Sequence, residues 1–467
     1  MRAASLLPDV LPMTDRFTLR QLTQILASPF AADVDLDVTV THISTDSRTL
    51  KHGSVFVALR GERFDGHEFI RQAQQQGALA AIVDRQFAGS GAGLPLLAVD
   101  DTLQAYQAIA QAWRMQFSIP VIAVTGSVGK TTTKELIAAI LSTQGRVLKT
   151  QGNYNNEIGV PKTLLELDAE HDFAVIEMGM RAAGEIALLT QIAQPDIAVI
   201  TNVGTAHIGR LGSEQAIAEA KCELLQELPK SGVAILNYDN ARLMATASRV
   251  WQGQTLSYGL TGGDIRGELQ GETLRVEDVS LPLPLTGQHN ALNYLAALTV
   301  AKALHINWLP LQAGLVVELP QGRARRYTDP KGIVILDETY NAGLESMLAA
   351  LQLLADTPGK RRIAVLGTMK ELGERSAEFH YQVGQAAQRL RLDALLILAD
   401  PAESEAMAAG ARPLVAEQFS TQAEVVARLQ KLAQPGDCFL FKASRAVGLD
   451  QVVESFRFAL LHVVGDT

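Results

Sequence analysis

A glycine-rich turn at residues 125–132, with the sequence TGSVGKTT, has the residue types that bind phosphate. Glycines let the backbone turn tightly enough for several N–H groups to point at one anion, and the following helix adds its positive N-terminal end. Lys130 would bring a positive charge to the terminal phosphates, and the Thr131 hydroxyl would be a ligand for Mg²⁺. The turn therefore predicts a nucleotide-binding loop made by Thr125, Gly126, Ser127, Val128, Gly129, Lys130, Thr131 and Thr132.

This loop departs from the common phosphate-binding loop at one position. The common pattern has glycine six residues before the lysine, where this chain has Val124, so the motif is the shorter GxxGKT. The alternative is a helix N-terminus that merely contains Gly-Lys-Thr. The apolar strand-like run before the loop and the helical pattern after it favour nucleotide binding.

Two further polar residues follow later apolar runs. Glu177 ends the run AVIE, and His207 lies in the loop after IAVITNV. Because the carboxyl ends of parallel strands meet at one edge of a sheet, both side chains are expected beside the phosphate loop. We predict a metal-ligand role for Glu177 and a functional role for His207. An exposed loop acid and a structural histidine are the alternatives.

Lys221 lies in the alanine-rich helical segment AIAEAKCELLQEL. An exposed helix lysine usually has a glutamate partner four residues away, whereas Ile217 and Leu225 hold those positions here. This spacing predicts that Lys221 is buried. A buried lysine with a lowered pKa is able to react with CO₂, and the resulting carbamate replaces a cation with oxygen ligands. A solvated surface lysine is the alternative.

Three asparagines lie close together in the segment GNYNNEIGVPKTLL, between a predicted strand and a predicted helix. Asparagine is common in turns, which is the structural alternative. A run of neutral amides beside a phosphate site also suits a polar, anionic substrate. We therefore predict substrate contacts from Asn153, Asn155 and Asn156.

The framework that positions these loops is predicted to be an α/β fold in three domains. Strand-like runs alternate with helical segments, which indicates parallel sheets covered by helices. A β-rich patch at 254–285 interrupts the alternation, and the segment LPQGRARRYTDPKG indicates the last domain boundary. The predicted domains are a mixed α/β N-terminal domain, a central phosphate-loop domain with a parallel sheet, and a C-terminal Rossmann-like domain, at residues 1–103, 104–319 and 320–467.

Composition excludes several classes of protein. The 467-residue chain has a formal net charge of −9, which argues against a general nucleic-acid surface. No uncharged apolar run reaches the length of a membrane span. The two cysteines, Cys222 and Cys438, form no disulfide framework or CxxC metal site, which predicts a reducing cytoplasm. The opening MRAASLLPDVLPM is expected to be a loose extension, and Met13 is a possible start.

The spaced motifs resemble those of the Mur ligases. The resemblance covers about residues 14–460 and rests on TGSVGKTTTKE, GNYNNEIGVPKTLLEL, VIEMGMRAAGEI, AHIGRLGS, AKCELL, GQHNALNYLAA, LDETYNAGLESM, VLGTMKELGERSAEFH and KASRAVGLDQVV, in that order. The segments VLGTMKELGE and TYNAG are most like the members that add D-alanyl-D-alanine to UDP-N-acetylmuramoyl-tripeptide.

The resemblance implies ATP and Mg²⁺ as cofactors, with Thr131 and Glu177 on one Mg²⁺ and His207 and a carbamylated Lys221 on a second. It implies adenine contacts from Asn290 and Asn293, and ribose or γ-phosphate contacts from Arg323 and Asp337. The first domain would bind the UDP-sugar through Ser47, Arg48, Asp65 and His67. The third would close over the site and bind the dipeptide through Tyr340, Asn341, Lys442, Ser444 and Arg445. Gly343 departs from the family, which usually has asparagine there, so direct contacts from that position are not expected.

The implied reaction is amide-bond formation through an acyl phosphate. A carboxylate at the end of the tripeptide would attack the γ-phosphate of ATP, and the amine of D-alanyl-D-alanine would then displace phosphate. The cationic groups would stabilise charge on the moving phosphoryl group, and the closing domain would exclude water. Nothing in the sequence demands more than a monomer.

Three alternatives remain open at this point. The first is another amino-acid-adding Mur ligase; the member that takes meso-diaminopimelate generally carries Asp-Asn-Pro-Arg, which is absent from this sequence. The second is a folylpolyglutamate synthase-like ligase. The third is a non-enzymatic nucleotide switch, although the base-reading motifs NKxD and TKxD of GTPases are also absent.

Overall fold

A computed structural model of the chain describes residues 17–30, 34–61, 64–87 and 93–462. The expected loose extension at the N-terminus, with Met13, lies outside these residues. Three separate sheets confirm the predicted three-domain α/β architecture. No helix within the described ranges combines the length and apolar character needed to cross a lipid bilayer.

The first domain has a parallel four-stranded sheet in chain order. The first strand, His42–Ser44, has only three residues. Thr18 caps helix α1 (Leu19–Leu26): its hydroxyl accepts a hydrogen bond from the Gln21 N–H, and its own N–H donates to the Gln21 side chain. The elements are β1 His42–Ser44, β2 Ser54–Val57, β3 Ala80–Asp84, β4 Leu96–Val99, α1 Leu19–Leu26, α2 Ile70–Gln75 and α3 Thr102–Arg114.

Helix α3 connects the first domain to the second. Its Trp113 is buried, and the indole N–H donates to the Leu167 carbonyl at 3.1 Å. Arg114 is also buried and donates through Nε to the Ala193 carbonyl at 3.1 Å. The predicted boundary at residue 103 falls inside this helix, whose buried face belongs to a core shared with the middle domain.

The middle domain has a nine-stranded sheet with the order β13-β12-β11-β10-β9-β8-β5-β7-β6. The β-rich patch does not interrupt this sheet but extends it, first in parallel and then through two antiparallel pairings. The strands are β5 Val121–Thr125, β6 Val147–Lys149, β7 Phe173–Glu177, β8 Ile197–Ile200, β9 Val233–Asn237, β10 Gln254–Gly259, β11 Ile265–Gln270, β12 Thr273–Val276 and β13 Val279–Pro282.

Seven helices of the middle domain are α4 Lys130–Leu141, α5 Gly159–Leu164, α6 Glu185–Ala193, α7 Ile208–Leu211, α8 Glu214–Gln226, α9 Ala241–Val250 and α10 Gln288–Ala303. The fully buried strand β5 lies between β7 and β8, so the loops after all three strands open at the same edge. Helix α10 packs against α4, and its asparagines thereby reach the phosphate loop.

The C-terminal domain has a six-stranded sheet with the order β14-β15-β19-β16-β17-β18. All pairings are parallel except that of β14, an antiparallel edge strand that was not predicted. The elements are β14 Arg325–Thr328, β15 Val334–Asp337, β16 Arg362–Gly367, β17 Ala394–Leu398, β18 Ala416–Gln418, β19 Cys438–Lys442, α11 Leu344–Asp356, α12 Ser376–Arg389, α13 Pro401–Ala411, α14 Gln422–Leu432 and α15 Leu449–His462.

Candidate active site

Two glycines shape the phosphate loop between β5 and α4. Gly126 has a φ of 153°, and a Cβ there would lie 1.9 Å from the Thr201 hydroxyl oxygen. Gly129 has a φ of 82°, and a Cβ there would lie 2.5 Å from Asn293 Oδ1. Both the conformation and the close approach of neighbours require residues without side chains.

The loop after β8 braces the phosphate loop. Asn202 Oδ1 accepts from the Val128 N–H at 3.0 Å, and the Thr201 hydroxyl donates to the Val128 carbonyl at 2.6 Å. The Ser127 N–H donates to the Asn202 carbonyl at 3.1 Å. These contacts hold the backbone of the loop in the shape that an anion needs.

Lys130 folds back across its own loop. Its Nζ donates to the Gly126 carbonyl at 2.8 Å. Burial lowers the pKa of Lys130, and the Glu177 carboxylate opposes that shift. Thr125 does not share this site, because its hydroxyl is buried in the sheet and donates to the Met178 carbonyl at 2.9 Å.

Glu177 is buried at the end of β7 and is held in place from several directions. The Thr131 hydroxyl donates to its Oε2 at 2.9 Å, and Asn155 Nδ2 donates to its Oε1 at 2.8 Å. Behind it, the fully buried Lys134 ammonium lies 3.9 Å from Oε2 and donates to the Thr150 carbonyl at 2.7 Å. The structure thus brings Thr131 and Glu177 together, as a shared metal site requires.

His207 lies in the loop after β8 and has a partner in the C-terminal domain. Its Nδ1 lies 2.6 Å from Glu371 Oε2. Burial and the neighbouring Lys130 lower the pKa of the imidazole, while Glu371 raises it. His207 is held in the left-handed region, with a φ of 67°, immediately before α7.

Lys221 is buried, as its apolar helix neighbours predicted, with 1% of its surface exposed. Among the described residues, its ammonium has no hydrogen-bond or ion-pair partner at all. Burial and the charge of Lys130 lower its pKa well below the usual lysine value. A lowered lysine pKa favours the neutral amine, which is the form that reacts with CO₂.

The described residues contain no group of three or more His, Cys, Asp or Glu side chains placed to hold a metal ion. Mg²⁺ bound to a nucleotide usually takes one or two protein ligands and completes its shell with phosphates and water. Glu177 and Thr131 provide oxygen ligands of that kind. His207 offers a nitrogen, which a hard cation favours less.

A cavity of about 530 Å³ opens between the middle and C-terminal domains. Its lining includes most of the phosphate loop, together with His207 from the middle domain. The C-terminal domain contributes Arg323, Asn341, Lys442 and Ser444, and the N-terminal end of α10 contributes Asn290 and Asn293. The described lining includes no residue of the first domain.

Asn290 and Asn293 of α10 line the cavity and also take part in hydrogen bonds beside the phosphate loop. Asn293 Oδ1 accepts from the Thr133 hydroxyl at 3.2 Å, and Asn293 Nδ2 donates to Asn290 Oδ1 at 3.3 Å. Asn290 in turn donates to the Thr286 carbonyl at 2.8 Å. Their buried amides therefore set the packing of α10 on the phosphate loop.

The predicted residues at the last domain boundary divide into two groups. Arg323 lines the cavity and stacks on Tyr340, with its guanidinium carbon 3.9 Å from the ring centre; Arg445 lies 5.4 Å from the same centre. Asp337 is buried and does not line the cavity, and its Oδ1 accepts from the Thr339 hydroxyl at 2.6 Å. The neighbouring Glu338 lines the cavity in its place, and burial raises the pKa of that carboxyl.

The predicted dipeptide contacts on β19 and before α11 lie close together. Lys442 is buried and donates to the Asn341 carbonyl at 2.8 Å, and burial lowers its pKa. The Ser444 hydroxyl accepts from the Lys370 N–H at 2.9 Å. Gly343 is the N-cap of α11, and a Cβ there would meet nothing within 4 Å.

The predicted UDP-sugar residues are all in the first domain. Ser47 donates to Gln72 Oε1 at 3.0 Å, and Arg48 pairs with Asp46 at 2.7 Å. This pairing, with a smaller contribution from Lys162 of the middle domain, lowers the pKa of Asp46 to about 2.

Two other residues of this predicted set serve the fold. His67 is buried, its Nδ1 lies 2.6 Å from Asp65 Oδ1, and its Nε2 accepts from the Asp84 N–H at 3.0 Å. Both ring nitrogens are thus engaged within the domain, and Asp65 is the partner that fixes the tautomer.

The asparagine loop links this region to the phosphate site. Asn155 bonds to Glu177, and Asn156 Oδ1 accepts from the Gly159 N–H at 2.9 Å, which caps the start of α5. Asn153 is exposed. Beside it, Lys162 lies 4.1 Å from the centre of the Tyr154 ring.

Sequence reasoning missed four residues near the cavity: Asn202, Glu338, Glu345 and Glu371. Asn202 lies at the end of the predicted strand run IAVITNV, and Glu338 directly follows the apolar run GIVILD, so their place at the carboxyl edge of a sheet was a usable signal. Glu345 and Glu371 carried no such signal, because their partners are in another domain.

Three family models match the chain in succession. The Mur ligase family catalytic domain matches residues 39–114, the Mur ligase middle domain residues 124–301, and the Mur ligase glutamate ligase domain residues 322–445. The UDP-N-acetylmuramoyl-tripeptide–D-alanyl-D-alanine ligase of Synechocystis sp. is 57% identical over 94% of this chain and 98% of its own.

Solved structures agree with these matches. A crystal structure of MurF from Acinetobacter baumannii superposes with a TM-score of 0.85 at 34% identity, over 96% of this chain and 99% of that one. MurF ligase from Thermotoga maritima in complex with ADP gives 0.81 at 32% identity, over 90% and 98% of the two chains.

Proposed function

The chain belongs to the Mur ligase family, as a ligase that uses ATP to add D-alanyl-D-alanine to UDP-N-acetylmuramoyl-tripeptide in peptidoglycan precursor synthesis, and we propose that the cavity between its middle and C-terminal domains is where the bond forms. The observation that carries this proposal is the meeting of the phosphate loop, His207 and Lys442 in one cavity that both domains line.

The ATP triphosphate binds along residues 126–132, where Lys130 exchanges its bond to the Gly126 carbonyl for the terminal phosphates. Asn290 and Asn293 lie at the adenosine side, and Arg323 reaches the ribose or the phosphates from the other domain. Thr131 and Glu177 would hold Mg²⁺, which would neutralise charge on the phosphates.

The UDP-sugar binds in the first domain beside Ser47 and Arg48. From there the peptide runs along the loop of residues 153–156 towards Glu177. Two observations support this direction: Lys162 contributes to the lowered pKa of Asp46, and Asn155 donates a hydrogen bond to Glu177. Asp65 and His67 support this region from within the fold.

In the reaction, an oxygen of the tripeptide carboxylate attacks the γ-phosphorus, and the bond to the ADP oxygen breaks. The acyl phosphate that results is attacked by the amine of D-alanyl-D-alanine, held by Asn341, Lys442 and Ser444 near the Tyr340–Arg445 stack. An amide forms and phosphate leaves. Lys130 stabilises charge on the moving phosphoryl group, and the C-terminal domain excludes water.

A carbamate on Lys221 is supported by the burial of its side chain, by its lowered pKa and by the lack of a described partner for its ammonium. The modified side chain would place negative charge near Lys130 and His207, and would supply oxygen ligands for a second Mg²⁺ beside the His207 nitrogen.

We further propose that the protein acts as a monomer in the cytoplasm. Both cysteines are buried free thiols, as suits a reducing compartment.

The test is a phosphate-release assay with the purified protein. We expect release only when ATP, UDP-N-acetylmuramoyl-tripeptide and D-alanyl-D-alanine are all present, with one amide bond formed for each phosphate. Release with ATP alone at the same rate would instead indicate a nucleotide switch and would overturn the proposal.

A further inference from the structure

The segment of residues 201–210, which we call the bridging loop, contacts two domains at once. On one side it holds the phosphate loop through Thr201 and Asn202. The Gly204 N–H adds a hydrogen bond to the Ser127 hydroxyl oxygen at 2.9 Å. Any movement of the bridging loop would therefore also shift the phosphate loop.

On its other side the bridging loop meets two carboxylates of the C-terminal domain. Glu345, in the first turn of α11, accepts from the Thr205 N–H at 2.6 Å and from the Thr205 hydroxyl at 3.2 Å. This carboxylate lies so close that a Cβ on Gly204 would be 2.5 Å from it.

Glu371 makes the second attachment. Its Oε2 lies 2.6 Å from His207 Nδ1, its Oε1 lies 3.3 Å from Arg210 Nη2, and its carbonyl accepts from the Gly209 N–H at 3.2 Å. Glu371 itself has a φ of 64°, and the loop that bears it passes so close to Gly209 that a Cβ there would clash with its backbone.

The contact with Glu371 determines what His207 is able to do. A carboxylate only accepts hydrogen bonds, so Nδ1 carries the hydrogen and Nε2 keeps its lone pair. A carboxylate on one ring nitrogen is the usual device that orients a histidine whose other nitrogen binds a metal or its water. Here that carboxylate comes from a different domain.

We propose that Glu345 and Glu371 are positioning residues for the reaction. They fix the bridging loop, with His207, against the phosphate loop only while the C-terminal domain is docked. The docked C-terminal domain therefore does more than cover the active site. It also supplies the two carboxylates that hold the bridging loop and His207 in place. The kinetic part of this inference rests on the proposed ligase function, whereas the docking part does not.

The experiment compares Glu371→Ala, the double variant Glu345→Ala/Glu371→Ala and the control Glu374→Ala. Glu374 is an exposed glutamate three residues from Glu371, for which the described residues provide no partner. Small-angle X-ray scattering is recorded with Mg²⁺ and a non-hydrolysable ATP analogue, and kcat and KM are measured in the phosphate-release assay. Glu371→Gln replaces Glu371→Ala should the alanine variant fail to fold.

We expect kcat of Glu371→Ala to fall about 10- to 100-fold, as is usual when an orienting partner of a functional histidine is lost, with KM for ATP nearly unchanged. The double variant should show a larger radius of gyration than the wild type, and Glu374→Ala should match the wild type in both measurements. A double variant with wild-type scattering and wild-type kcat would overturn the proposal.

A double-mutant cycle tests whether Glu371 acts through His207. If it does, His207→Ala/Glu371→Ala should be no more than about twofold slower than His207→Ala alone, because residues that act as a unit are not additive. A double variant in which the kcat losses of the two single variants multiply would show that Glu371 does not act through His207. A wild-type protein without ligase activity would contradict the proposed function. The scattering result would still decide whether Glu345 and Glu371 dock the C-terminal domain.

Discussion

At the scale of single residues, basic groups gather at and near the cavity with few acidic partners. Lys130, His207 and Lys221 influence one another, and burial lowers the pKa of all three. Glu177 and Glu371 are the carboxylates that act on this group. A polyanion such as a triphosphate would offset the mutual repulsion of these groups.

Lys130→Ala tests the central charge. We expect kcat to fall about 10³-fold, because the proposed mechanism then loses the cation that stabilises charge on the transferred phosphoryl group. The melting temperature should stay close to that of the wild type. Lys230→Ala removes an exposed lysine instead and should leave both quantities unchanged. Wild-type turnover in Lys130→Ala would remove the loop from the mechanism.

Lys221→Ala tests the carbamate. Activity should fall strongly and return in part when a short carboxylic acid such as acetate is added, because the added carboxylate occupies the space of the missing group. The same acid should not activate the wild type. Full activity in the variant without any added acid would exclude a functional carbamate.

The burial of Lys221 was predictable because its neighbours on the helix are visible in the sequence as Ile217 and Leu225. The contact between His207 and Glu371 was not, since the two residues are 164 positions apart and meet only when two domains dock. Nor did the sequence reveal that both nitrogens of His67 are already engaged within the first domain.

At the scale of elements, the order of strands explains why the site exists where it does. Strand β5 lies between β7 and β8, so the phosphate loop has Glu177 on one side and the bridging loop on the other. The alternation of strands and helices predicted these elements well. It could not predict that β11, β12 and β13 extend the middle sheet, because strand pairing depends on which edge is free.

Gly126→Ala tests the fit between two of these elements. A methyl group would overlap the Thr201 hydroxyl oxygen, which braces the loop, so we expect a loss of about 1–3 kcal/mol in the free energy of unfolding and much weaker ADP binding. Chemical denaturation and calorimetric titration measure the two effects. Gly343→Ala is the matched control, because a Cβ there meets nothing within 4 Å and φ is −146°. Equal losses of stability and ADP binding in both variants would contradict a specific need for glycine at position 126.

At the scale of the whole molecule, hydrophobic packing is continuous across domains. One core cluster contains Leu22 of the first domain, Ile176 of the second and Leu366 of the third. Helix α3 is a main connection, since its Trp113 packs on Phe17 at 4.8 Å between ring centres and bonds to Leu167. The three sheets were predictable from local patterns, whereas this shared packing was not.

Trp113→Ala tests that connection. We expect a destabilisation of about 3–5 kcal/mol, typical of a large aromatic residue removed from a core, and a lower melting temperature for the first two domains together. Met115→Ala, two residues further on and 57% exposed, should change stability by less than about 0.5 kcal/mol. Differential scanning calorimetry distinguishes the two; equal melting profiles would contradict a shared core.

The position of α3 also determines how this protein should be recombined with its relatives. Asp101 caps the helix, with Oδ1 accepting from the N–H groups of Leu103 and Gln104. A chimera that exchanges the N-terminal portion should therefore be joined ahead of Asp101, so that the helix keeps its cap and its bond to Leu167, while its contact with Phe17 is replaced. A junction placed after the helix would pair a foreign tryptophan face with the native Leu167 segment.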